Sequence, residues 1–149
     1  MPKEVKYDLC IIGGGPAGYA AAMRAVDLKK RVVLIEKGKI GGAGIYNGAL
    51  SSKTMWELST QIANSQKRID KISTEQNKTN LKFDFEELKT TVAEAVFERK
   101  FQLQCHINLL QSDVYNQFFK YERGTARLLN KNEIAVKKQK KDKVIYAKN

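Results

Sequence analysis

Between residues 8 and 18 the chain reads DLCIIGGGPAG, and the glycines of that run constrain the fold more than any other feature. Gly13, Gly15 and Gly18 stand in a G-x-G-x-x-G pattern. An apolar run over residues 6–12 precedes them and predicts a buried strand. Over 16–29 the small and apolar residues Ala17, Ala20, Ala21, Ala25, Val26 and Leu28 predict a helix able to pack closely on a sheet. RVVLIE at 31–36 is rich in β-branched residues and predicts a second strand. Strand, helix and strand within about thirty residues make a βαβ unit, whose crossover implies parallel pairing.

The glycine spacing also has a chemical reading. It permits a tight turn, close approach of backbone to a pyrophosphate, and close packing of helix on strand. The N-terminus of the helix, which opens at Pro16, adds N–H groups without partners, from Ala17 onward, and a partial positive charge, which favour a diphosphate. Glu36 ends the second strand about twenty residues on, where a carboxylate hydrogen-bonds an adenosine ribose. The combination predicts an α/β, Rossmann-like dinucleotide site; FAD and NAD share this fingerprint. The competing account is a structural glycine turn followed by a surface glutamate.

Further along, residues 52–68 predict a helix with Met55, Leu58 and Ile62 on its buried side and Trp56 as a further candidate. Residues 70–82 are polar and predict a loop. Asp84 is a plausible N-cap for a long helix over roughly 85–111, with Phe85, Leu88, Val92, Val96, Leu103 and Leu110 near the helical period. The segment from Asn116 to Glu122 is expected to open a small antiparallel β section that continues through TARLL, EIAVK and KVIYAK.

Composition narrows the function classes. Hydrophobic residues at 42% and charged residues at 29% suit a globular chain, and one domain over 1–149 is expected. LCIIGGGPAGYAAAM is too short and too broken by glycine for a membrane span, and it serves poorly as a signal peptide. The expected location is cytoplasmic, with no membrane partner. Cys10 reads as core; Cys105 neighbours His106, the single histidine, on a predicted helix where adjacent residues do not face each other. Neither cysteine has metal-ligand spacing, so no metal site is expected. The net charge of +11 raises nucleic acid as a partner. Its lysines, however, are spread along helices without interleaved aromatic residues. The densest run, Lys137, Lys138, Lys140, Lys141 and Lys143, reads as a solvated hairpin turn, and no nucleic-acid partner is expected.

Residues 41–53, GGAGIYNGALSSK, carry a family resemblance. Two-cysteine flavin disulfide reductases show G-G-T-C-x-N-x-G-C-x-P-S-K. Gly41, Gly42, Gly48, Ser52 and Lys53 stand at matching spacing, while Gly44 and Ala49 occupy the two cysteine positions. With the glycine fingerprint and a strand ending in Glu36 and Lys37, the chain resembles the FAD domain of the pyridine nucleotide-disulfide oxidoreductase superfamily. Within it the likeness is to soluble pyridine nucleotide transhydrogenases and dihydrolipoamide dehydrogenase-like proteins. YERGTARLLNKNEIAV is similar to their G-x-A-x-F-x-x-x-x-x-x-V region, in which the backbone at the position of Ala126 lies near the adenine.

The resemblance implies FAD held by Gly13, Gly15, Pro16, Ala17, Gly18, Glu36, Lys37, Gly41, Gly42, Lys53 and Ala126. It implies a catalytic place for Lys53 near flavin N5, where an ammonium stabilises negative charge on reduced flavin. Ser51 replaces the family proline and Tyr46 its asparagine. The family chain continues into an NAD(P) domain, the rest of the FAD domain and a dimerisation domain that carries a catalytic histidine. His106 does not match that histidine, and a homodimer is expected of the full-length form.

A thiolate is the nucleophile of dithiol exchange, and neither Gly44 nor Ala49 supplies one. The function expected is therefore an NAD(P)H-dependent flavin oxidoreductase that passes hydride from nicotinamide to FAD without a dithiol relay. These 149 residues would be its leading FAD-binding part and inactive alone. The alternative is a non-enzymatic derivative that keeps the fold to bind FAD or a partner.

Overall fold

β1 (Leu9–Ile12), α1 (Pro16–Asp27) and β2 (Val32–Glu36) form the unit that the glycines demand. A computed structural model describes residues 7–74, 77, 79–82, 84–138 and 142–149. β1 and β2 pair in parallel, with Leu9 opposite Val32 and Ile12 opposite Ile35. All five residues of β2 are buried, as its run of β-branched and apolar side chains requires of a strand covered on both faces. Pro16 starts α1, where its missing N–H removes no helical hydrogen bond.

Three helices separate β2 from the next strand: α2 (Gly42–Tyr46), α3 (Ala49–Ile72) and α4 (Phe85–Leu110). Gly48, at φ +96°, turns the chain between α2 and α3. The left-handed region suits glycine and is costly for most other residues. α3 thus starts three residues before the helix expected from the pattern and ends at Ile72, inside the expected loop. Of that loop, residues 75, 76 and 78 lie outside the described residues. Asp84 caps α4 as expected, its carboxylate accepting the Glu86 N–H at 2.8 Å. Such a cap is worth about 1 kcal/mol.

The segment expected to open the antiparallel section instead completes the parallel sheet. β3 (Phe119–Arg123) pairs in parallel with β2, from Val32 opposite Phe119 to Glu36 opposite Arg123, giving the order β1-β2-β3. The antiparallel sheet begins one residue later, at β4 (Thr125–Leu128), and continues through β5 (Glu133–Lys137) and β6 (Lys143–Tyr146). Past β6 the chain returns to β1: Tyr7 bridges Ala147 in parallel, and the Cys10 N–H donates to the Asn149 carbonyl at 2.8 Å.

β2 alternates between two cores. Val32 and Leu34 pack with Ala22 and Ala25 of α1, Leu103 and Ile107 of α4, and Phe119. Val33 and Ile35 pack on the other face with Ile134, Val136 and Ile145 of the antiparallel sheet. The result is three layers, helices on sheet on sheet. Each fully buried aliphatic side chain contributes roughly 1.5–3 kcal/mol. Glu122, 4% exposed, accepts hydrogen bonds from Lys138 and Lys143 and so ties β3 to the second sheet. Part of the lysine run expected to form a solvated turn is therefore paired; Lys140 and Lys141 lie outside the described residues.

Other expectations for the helices hold in part. Leu88, Val92, Leu103 and Leu110 are buried on α4, but Phe85 at its first position is exposed. Met55, Leu58 and Ile62 are half-buried on α3, whereas Trp56 is 72% exposed. Trp56 falls just off the stripe that meets α4, so its size overrides nothing. No helix among the described residues is long and apolar enough to cross a membrane.

Candidate functional site

The glycine turn sits at the carboxyl ends of β1 and β2, the edge where open α/β sheets place ligands. Gly13 has φ +105°, and its N–H donates to the Ile35 carbonyl at 2.8 Å, extending the ladder into the turn. At Gly18 a Cβ would lie 1.9 Å from the Gly13 carbonyl oxygen, so only glycine lets α1 close down on the turn. Gly15 is the N-cap of α1, with no side-chain cap and no acidic residue in the first turn. The N–H groups of Ala17 and Gly18 consequently have no intrahelical acceptor at the positive end of the helix.

Glu36 closes the turn from the neighbouring strand. Its carboxylate is buried and accepts the Gly14 N–H and the Gly38 N–H, each at 2.6 Å. The Gly41 N–H donates to the Gly14 carbonyl at 2.8 Å, and a Cβ on Gly42 would stand 3.1 Å from the Gly15 Cα. The structure thus brings Gly13, Gly15, Pro16, Ala17, Gly18, Glu36, Gly41 and Gly42 into one place. Lys37 is exposed immediately beyond Glu36.

Two expected site residues lie further out. Lys53 is exposed on the second turn of α3, because that helix begins at Ala49. Ala126 is half-buried on β4, its side chain packed against the second core. The Gly124 N–H donates to the Glu36 carbonyl at 3.0 Å, which brings the start of that strand to the carboxyl end of β2.

A cleft of about 170 Å³ runs between the glycine turn and the helices, with Gly15, Pro16, Gly41, Gly44, Tyr19 and Arg99 among its walls. Gly44 is one of the two positions where the motif has cysteine; a Cβ there would stand 2.8 Å from Pro16 Cγ. The cysteines of this chain lie elsewhere. Cys10 is half-buried on β1, and burial pushes its thiol up to about 11, so at neutral pH it is protonated. Cys105 is exposed on α4.

Sequence reasoning missed two residues of this cleft. Tyr19 pairs through its hydroxyl with Nδ1 of His106, which fixes α1 to α4 and accounts for the histidine, and burial raises the phenol above its ordinary value. Its spacing of three from Pro16 was the available signal, since such residues share a helix face. For Arg99 the sequence held no signal, because its place depends on how α4 lies across α1.

Known proteins match this arrangement. The model of the pyridine nucleotide-disulphide oxidoreductase family covers residues 7–149. The chain belongs to that family. A dihydrolipoyl dehydrogenase of Bacillus subtilis (strain 168) is 31% identical over 128 residues, covering 86% of this chain and 26% of the relative. A mitochondrial dihydrolipoyl dehydrogenase of Schizosaccharomyces pombe is 45% identical over 51 residues, 34% of this chain and 10% of that one. The chain spans about a quarter, or less, of the length of these relatives. Among solved structures, the Cu(II) complex of the HOCl-induced flavoprotein disulfide reductase RclA from Escherichia coli superposes with a TM-score of 0.66. It is 21% identical and covers 97% of this chain and 27% of its own. That likeness extends the Rossmann-like family fold to nearly the whole chain.

Proposed function

We propose that this chain is the FAD-binding part of an NAD(P)H-dependent flavin oxidoreductase that works without a dithiol relay. The observation that carries the reading is the glycine turn, closed by Glu36, at the uncapped start of α1, where the N–H groups of Ala17 and Gly18 have no intrahelical acceptor. The group fits the residues present: the turn has no Cβ to obstruct a diphosphate, and the first turn of α1 carries no acidic side chain of its own.

In this reading Gly15, Pro16, Ala17 and Gly18 bind the diphosphate through backbone and helix dipole. Glu36 and Lys37 meet the adenosine ribose, the backbone at Ala126 lines the adenine, and Gly41 and Gly42 extend the cradle. Lys53 supplies a positive charge toward the isoalloxazine, where its ammonium stabilises negative charge. FAD held by these residues would supply the chemistry of hydride transfer between a nicotinamide nucleotide and an acceptor. The lack of thiols at Gly44 and Ala49 and the raised Cys10 thiol support an acceptor other than a protein disulfide. The nicotinamide domain, the homodimer and a cytoplasmic location belong to the same proposal.

The test is to purify the full-length protein, release and identify its flavin, and mix the holoprotein anaerobically with NADH and with NADPH. Stoichiometric FAD that is bleached saturably by either nucleotide supports the reading. FAD that stays oxidised with both would favour a binding-only protein, and the absence of flavin after reconstitution would remove the cofactor itself.

A further inference from the structure

A second cavity, of about 480 Å³, opens beyond the glycine turn between the β2–α2 connection, α4 and the end of β3. Three cations reach it from three elements: Lys39 before α2, Lys100 on α4 and Arg123 at the end of β3. Among the described residues none of the three is in an ion pair with a carboxylate. Lys39 and Lys100 instead lie over the ring of Tyr46, 5.3 and 4.9 Å from its centroid. Two ammonium groups from different elements thus share one aromatic ring. Tyr121 and Gln104 add polar groups to the wall. Glu36, two residues before the cavity's Gly38, accepts the Gly14 and Gly38 N–H groups.

We propose that this cavity binds a phosphate dianion through Lys39, Lys100 and Arg123, as a site separate from the dinucleotide turn. The chemistry is that of charge-assisted hydrogen bonds: residues bearing one guanidinium and two ammonium groups line one cavity, and a phosphate offers enough oxygens to accept from all three. Tyr46, at the position of the motif's asparagine, is the residue that orients both lysines. The phosphate is either free or the terminal group of a nucleotide, and both present the same dianion.

The experiment is calorimetric titration of the full-length holoprotein, saturated with FAD, at constant ionic strength. The probes are inorganic phosphate, AMP and adenosine. Saturable binding of phosphate to the FAD-loaded protein is expected, and Lys100→Gln with Arg123→Gln should weaken it by at least about tenfold. FAD content and the circular dichroism spectrum of that variant should match the parent. Tyr46→Ala should weaken phosphate while leaving all three cations in place. AMP tighter than phosphate assigns the nucleotide source, and equal affinities assign the free ion. Adenosine binding as well as AMP, phosphate binding unchanged in both variants, or phosphate binding only to flavin-free protein would each overturn the proposal. Failure of the FAD reading is a different result, because it appears as absent flavin before any phosphate is added.

Discussion

The carboxylate of Glu36 accepts the N–H of Gly14 at 2.6 Å and so clamps the glycine turn of one strand to the end of the next. Its other oxygen takes the Gly38 N–H at the same distance, so the side chain shapes the site before any ligand arrives. In Glu36→Ala both N–H groups lose a charged acceptor, each such bond being worth about 1.5–3 kcal/mol. FAD affinity should fall roughly ten- to a hundredfold, read by titration of apo-protein. Glu36→Gln, which keeps one acceptor, should fall between the two; unchanged affinity in both would take Glu36 out of the site.

Gly18→Ala places a methyl group where the Gly13 carbonyl oxygen already stands, 1.9 Å away. Backbone cannot yield as a flexible side chain does, so α1 must lift from the turn at a cost of about 2 kcal/mol or more. The melting temperature should drop by roughly 4–8 °C, and FAD should be lost from the purified protein. Thermal melts and flavin content measure the two effects.

Electron transfer should be indifferent to thiols. Cys10→Ala with Cys105→Ser should leave nicotinamide-driven reduction of bound flavin within about twofold of the parent, since neither side chain lies at the glycine turn. Stopped-flow absorbance gives the rate. Loss of reduction in a folded, flavin-loaded variant would contradict the reading of Gly44 and Ala49.

Acid should loosen the link between the two sheets. Burial pushes the Glu122 carboxyl up, but hydrogen bonds from Lys138 and Lys143 outweigh it and leave the group below its ordinary value of 4.5. A carboxyl lowered on folding contributes its full stability above the ordinary value, and that contribution fades as pH falls through the folded one. Glu122→Gln should therefore melt several degrees below the parent at pH 7, with the gap narrowing below about pH 4. Melting curves across pH 3–7 decide it; a constant gap would mean that the pair contributes nothing through its charge.

The βαβ unit was legible because its signals are local. The glycines, the small residues of α1 and the β-branched run of β2 each need only their neighbours. The Asp84 cap was legible for the same reason. What could not be read was choice of partner. FKYER forms a strand in either sheet, and only the covering of β2 by Phe119 and Tyr121 against α4 draws it to the parallel one. The lysine run looked solvated because the carboxylate it meets, Glu122, stands on another element. Tyr46 likewise gave no hint of its two lysines, one of which comes from α4.

The sheet order also has a consequence in time. β2 is the central strand, yet the strand that covers its outer edge is separated from it by residues 37–118. At ribosomal speeds of about 5–20 residues per second, that interval lasts roughly 4–16 s. Throughout it a nascent chain carries β1, α1 and β2 with one row of β2 amides and carbonyls unclaimed, an open template for any extended segment that passes. Loop length itself adds little, about 0.6 kcal/mol per doubling. The hazard for this polypeptide is therefore delay, and a cell making it has reason to keep that edge covered until Phe119 leaves the tunnel.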